Sequence, residues 1–143
     1  MSDTKAVQYQ REIPEVLQAL GQVHPVIDEY GLERSIHHLM LLRASQINGC
    51  AHCVKMHVKE AREDGETSER LDRLIVWRHV NDFSDREKAA LAWAEALTVL
   101  DAHTDLGELR GRLREHFSEQ EIGALTATAA MINLWNRIQV SKH

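Results

Sequence analysis

The sequence predicts an all-α fold, a compact bundle of about six to seven helices forming one domain over residues 1–143. Three observations point there. Apolar residues recur with a helical period along most of the chain, and no stretch alternates β-branched and aromatic residues as a strand would. Two helix starts are also spelled out by Ser-x-x-Glu patterns at Ser84 and Ser118. No Gly/Pro/Ser-rich linker divides the chain, and residues 82–84 read only as a turn.

The elements follow in order. A first helix is expected from Ile13 to about Tyr30, with Pro14 in its opening turn, where a missing N–H is harmless. Val16, Leu17, Leu20, Val23 and Ile27 form its apolar stripe, Pro25 marks a place for a kink, and Gly31 ends it. A second helix from about Leu32 to Ile47 carries Ile36, Leu39, Met40 and Arg43, and stops at Asn48-Gly49, residues tolerant of left-handed backbone. The third runs from Cys50 to about Asp64, terminated by Gly65, and a shorter fourth covers Ser68 to Trp77. Ser84-Asp-Arg-Glu87 leads into the small-residue run Ala89–Leu97, and Ser118-Glu-Gln-Glu121 into Ala124–Met131. In both, serine and glutamate can satisfy exposed amide donors reciprocally, and their likeness suggests an internal repeat. A short helix from Leu106 to His116 joins them.

Composition removes several classes. With 43% hydrophobic and 27% charged residues, 7 Gly and 2 Pro, the chain is neither collagen-like, low-complexity nor disordered. A net charge of -5 without a Lys/Arg block argues against nucleic acid as a partner. The segment Met1–Glu12 carries Asp3, Lys5, Arg11 and Glu12 and lacks a secretory core, and apolar runs such as Leu39–Leu42 fall far short of the roughly 20 residues that cross a bilayer. The expectation is a soluble, cytoplasmic protein that does not engage membranes. Its two cysteines sit three apart, so they cannot staple distant segments; in a reducing compartment such a pair is redox-active or metal-binding.

The chemistry concentrates in Ser45-Gln-Ile-Asn-Gly-Cys50-Ala-His52-Cys53-Val-Lys-Met-His57. On a helix, Cys50, Cys53 and His57 fall within about 60° of one another while His52 points elsewhere. A thiol near a helix N-terminus, with an imidazole one turn away, has its thiolate stabilised. Two thiols at this spacing can close reversibly into a disulfide, which favours redox catalysis over a structural bond. The bland alternative is a pair of small buried apolar residues with a surface histidine. A zinc site built from Cys50, His52, Cys53 and His57 is the other, weakened because His52 lies off the shared face and seven consecutive helical residues cannot readily surround one ion. On the preceding helix, His38, Leu42 and Ser45 share a face, making His38 a candidate proton carrier and Ser45 a candidate for positioning a water. His37 stands beside His38, and pattern alone does not choose between a buried relay and an exposed polar residue. His24, His79, His103, His116 and His143 have no partner at a telling spacing, and Trp77, Trp93 and Trp135 read as core or subunit-interface residues.

The segment Leu42–His57 resembles the signature of the carboxymuconolactone decarboxylase superfamily, in its alkylhydroperoxidase D-like branch; the likeness extends through Ala61–Gly65, Arg70-Leu71 and Trp77-Arg78 to Ala90–Thr98. The resemblance implies a helical protein assembling into homo-oligomers, often trimers or hexamers. It implies a dithiol peroxidase without bound metal, haem or flavin that reduces organic hydroperoxides or services a peroxiredoxin. Its reductant would be a lipoyl or thioredoxin-like protein. By position, Cys53 would be the thiol attacked by peroxide, Cys50 the resolving thiol, His57 the base acting on Cys53 and His52 an accessory residue. Members with the full relay carry a glutamate twelve residues before the first cysteine, where this chain has His38. A histidine passes a proton at neutral pH but supplies no fixed negative charge. Two other readings remain: a lactone decarboxylase-like lyase indifferent to its thiols, and an oxidant sensor that forms the disulfide without turnover.

Overall fold

A computed structural model describes residues 2–143. Among them are nine α-helices and one 3₁₀ helix, with no strand: α1 (Tyr9–Glu12), α2 (Pro14–Gly21), α3 (Val23–Asp28), α4 (Arg34–Asn48), α5 (Ala51–Glu63), α6 (Ser68–Arg73), the 3₁₀ helix Leu74–His79, α7 (Asp85–Val99), α8 (Leu106–Arg114) and α9 (Glu119–Val140). The all-α expectation holds, and each expected helix has helical counterparts, though two of them are interrupted. The additional pieces are α1, which precedes the expected first helix, and the fragments of two expected helices that break.

Both breaks have a local cause. Ile13, immediately before Pro14, is pushed out of the α region to φ -133°, so α1 ends there and Pro14 opens α2. Pro25 has no N–H for the Gly21 carbonyl and its ring would crowd it, so α2 stops at Gly21, four residues before the proline, and α3 begins afresh. Of the apolar stripe expected along this region only Ile27 is buried; Leu17 and Leu20 are half-buried, and Val16 and Val23 are exposed, as is Val26. Downstream, Val76 leaves the helical region (φ -117°, ψ 27°), so the expected Ser68–Trp77 helix finishes as 3₁₀.

The bundle is organised around α4, which is buried on several sides. Ile36 and Met40 pack with Ala90, Trp93, Leu113, Phe117, Leu125 and Ala129 from α7, α8, α9 and the loop before α9. Leu39 and Leu42 pack with Ala61 of α5 and with Leu71, Leu74, Trp77, Phe83 and Leu91. Leu41 and Ala44 meet Ile132 of α9.

The two serine-headed starts form complete capping boxes, Ser84 with Glu87 and Ser118 with Glu121. Each is stitched in by an arginine. Arg70 stacks on Phe83 and pairs with Glu87, while Arg86 stacks on Phe117 and pairs with Glu121. Arg86 also reaches Glu33, the N-cap residue of α4. A third knot closes on Glu95, which accepts from Arg43 Nε (2.8 Å), Trp77 Nε1 (2.8 Å) and Arg78 (2.5 Å). Trp77 and Trp93 are therefore core residues, as expected, with their indole N–H groups on Glu95 and Thr126.

Leu125→Ala, which empties a fully buried position in the α4/α7/α8/α9 core, should lower unfolding free energy by about 2–5 kcal/mol. Ser118→Ala, which removes one cap, should cost about 1 kcal/mol. Urea denaturation followed by far-UV circular dichroism measures both.

Candidate active site

The site is created by a chain reversal. Gly49 adopts the left-handed conformation (φ 68°, ψ 31°) that ends α4, and the Cys50 N–H donates to the Ser45 carbonyl (3.0 Å). The next residue is already the N-cap of α5: Cys50 Sγ accepts the Cys53 backbone N–H at 3.2 Å. Cys53 thus lies in the first turn, where backbone dipoles present their positive end. Cys50 and Cys53 are joined as a disulfide, their Cα atoms 5.3 Å apart.

Helix α9 clamps this reversal with a buried polar network. Asn48 Nδ2 donates to Asn133 Oδ1 (2.9 Å) and Asn136 Oδ1 (3.0 Å), and Asn136 Nδ2 donates to Ser45 Oγ (3.0 Å). Ser45 Oγ in turn donates to the Leu41 carbonyl at 2.7 Å. This corrects the expectation for Ser45: it is fully buried with its hydroxyl committed to Leu41 and Asn136, so it holds the turn and does not position a water in the cleft.

Cys53 opens onto a cleft of about 490 Å³ between α3, α4, α5 and α9. Leu41, Met56, Ile132 and Trp135 give it apolar walls, and His24, His37, His52 and His57 ring it, with Asp28, Arg34 and Glu60 also lining it. Cys50 lies behind Cys53, with no exposed surface. His57, one turn beyond Cys53 and buried, places Nδ1 3.2 Å from Glu60 Oε2. A carboxylate only accepts, so Nδ1 carries the proton and the lone pair is on Nε2. Burial pushes the His57 pKa down, opposed by Glu60, with His38 and His52 lowering it further. His37 is pushed down to about 4, first by burial and then by Arg34 and His38. His52 is exposed, at the cleft wall.

His38 is 1% exposed, so it is not the exposed polar residue that the pattern also allowed. Its Nε2 lies 2.5 Å from Asp64 Oδ2, at the end of α5.

Three wall residues escape a sequence reading. His24 and Trp135 are stacked, centroids 5.9 Å apart, and the indole N–H donates to His24 Nε2 at 2.7 Å. That pairing joins residues 111 apart, so no local spacing announces it. It corrects both expectations: His24 is partnered, and Trp135 lines the cleft. His37 is the third, and only its adjacency to His38 signalled it.

The sequence pattern of the carboxymuconolactone decarboxylase family matches residues 14–96, more than half of the chain, including the reversal, both cysteines and His57. The chain belongs to the carboxymuconolactone decarboxylase family. Among similar proteins, the uncharacterized protein YdfG of Bacillus subtilis is 33% identical over 96% of this chain and 94% of its own length. The uncharacterized protein YnjA of Escherichia coli is 34% identical over 72% of this chain and 56% of its own length. In three dimensions the chain is similar to a protein of unknown function from Agrobacterium tumefaciens, proposed to be the antioxidant defence protein AhpD. The TM-score is 0.90 and identity 37%, over 96% of this chain and 94% of that one. It is also similar to the debrominase Bmp8, with a TM-score of 0.81 and 21% identity over 93% of this chain and 72% of that one, a likeness of fold alone. The AhpD-like frame is thus one on which enzymes are built.

Low pKa values at His37 and His57 bind stability to pH. Each ring is harder to protonate in the folded chain than in the unfolded one, so the unfolded chain takes up more protons as pH falls through about 6.5. The stability held by the neutral rings is complete above that value and, for His37, is lost toward about 4. The urea midpoint should therefore drop between about pH 7 and pH 5, above the range where the carboxylates titrate. His37→Gln should shrink the drop.

Proposed function

We propose that this protein is a cytoplasmic, thiol-dependent peroxidase that reduces organic hydroperoxides through Cys50 and Cys53. The observation that carries the reading is the arrangement of the pair. Cys53 faces the apolar-walled cleft from the first turn of α5, Cys50 is sealed behind it within bonding distance, and His57 is oriented by Glu60 one turn away.

In the reduced state, His57 Nε2 takes the Cys53 thiol proton. The thiolate attacks the terminal peroxide oxygen, forming S–O as O–O breaks; the departing alkoxide receives the proton and leaves as the alcohol. Cys50 then attacks the sulfenic sulfur and expels water, closing the disulfide. A dithiol reductant, a lipoyl or thioredoxin-like protein, restores both thiols and takes the disulfide itself, and a peroxiredoxin is an alternative partner. No metal or organic cofactor enters these steps, because the sulfurs carry both electrons. Glu60 supplies at His57 the negative charge that a histidine at position 38 does not. The uncovered apolar side chains Val16, Val23 and Val26 support assembly into a homo-oligomer, for which the family resemblance implies a trimer or hexamer.

One equivalent of tert-butyl hydroperoxide added to reduced protein should consume both thiols and the peroxide in step. Cys53→Ser should abolish peroxide loss, and Cys50→Ser should leave a sulfenic acid trapped by dimedone. Unreactive wild-type thiols, or equal residual consumption in the two variants, would overturn the reading.

A further inference from the structure

The pair His38 and Asp64 has no place in the steps above. His38 is buried on α4; Asp64 follows the last residue of α5, its side chain 41% exposed, just before the left-handed Gly65. Asp64 Oδ2 receives His38 Nε2 at 2.5 Å and Arg34 Nε at 3.2 Å. These two hydrogen bonds, that from His38 foremost, hold the Asp64 carboxyl below the usual carboxylate range.

An ionised carboxylate can only accept, so the proton between the two residues belongs to His38 Nε2. In the neutral form of such a ring the lone pair is on Nδ1. That atom is buried and has no hydrogen-bond partner in the protein, the one such side-chain atom among the described residues. Natural structures rarely leave a buried polar atom unpaired without a use for it. The neighbourhood is that of the site: the His38 ring lies 5.6 Å, centroid to centroid, from that of His37, which lines the cleft, and His38 bears electrostatically on both His57 and His37.

We propose that Asp64 is a positioning residue of the proton relay: it locks His38 as the Nε2–H tautomer, so that a basic Nδ1 is presented inside the protein behind the dithiol cleft. The proposal rests on the peroxidase reading for its use. While S–O forms and O–O breaks, the proton from Cys53 is held on the histidines, with Nδ1 as its inner station, and returns to the departing alkoxide. No proton is gained or lost overall. A purely structural Asp64 would only tie the end of α5 to α4.

Nitrogen-15 NMR of the imidazoles in the reduced wild-type protein should show His38 protonated on Nε2 and bare on Nδ1. In Asp64→Asn, whose amide can donate to Nε2 as well as accept, that single tautomer should be lost. Iodoacetamide alkylation of Cys53 at neutral pH should then slow by about tenfold, and Asp64→Glu should return it to within about threefold of wild type. A proton on Nδ1 in the wild type would overturn the proposal. So would an unchanged alkylation rate in Asp64→Asn accompanied only by a lower melting temperature. If wild type consumes no hydroperoxide yet Asp64→Asn slows alkylation, the Asp64 assignment stands and the peroxidase reading falls.

Discussion

The structure turns on one left-handed residue. Gly49 lets α4 end and α5 begin within two residues, and a side chain there would meet strain rather than crowding, since the space around it is open. Because α4 is packed against three separate groups of apolar side chains, its position is over-determined, and the reversal passes that precision to α5. Cys50 becomes the N-cap and Cys53 enters the first turn as a consequence. The asparagines of α9 then hold the reversal from behind, where backbone flexibility would otherwise blur the sulfur geometry.

Charge is handled by pairing at the margins of the apolar core. Glu87 and Glu121 each serve a serine cap and an arginine that lies over a phenylalanine, so one side chain closes a helix start, neutralises a cation and seats an aromatic ring. The same economy holds on α5, where Glu60 and Asp64 stay partly exposed while each engages a buried histidine. A fully buried carboxylate would have carried a much larger desolvation penalty.

Local chemistry was legible, and long-range pairing was not. The caps at Ser84 and Ser118 and the stop at Gly49 are short-range patterns, and each has its counterpart in the fold; Cys53 and His57 are buried one turn apart on α5, but Cys50 stands just ahead of that helix as its N-cap, and His52, expected to point elsewhere, reaches the cleft wall with them. The expected first helix failed because residues next to proline obey steric rules that outrank apolar periodicity. Burial of His38 could not be read because α4 is enclosed on several sides, so no polar stripe distinguishes the histidine from its neighbours. His24 and Trp135 meet only through tertiary packing, and Ser45 was misread because its partner Asn136 lies 91 residues away.

The segment α1–α3 buries a single side chain, Ile27, and is tied to the bundle largely through His24–Trp135 and a hydroxyl contact between Tyr9 and Ser141. It nevertheless contributes His24 and Asp28 to the cleft wall. In an isolated subunit, lifting it should therefore cost less than opening the core, and its amides should exchange sooner than those of α4 or α9. In an isolated subunit one wall of the site thus follows a local equilibrium and the other the global one, and a second subunit seated on Val16, Val23 and Val26 would tie the two together.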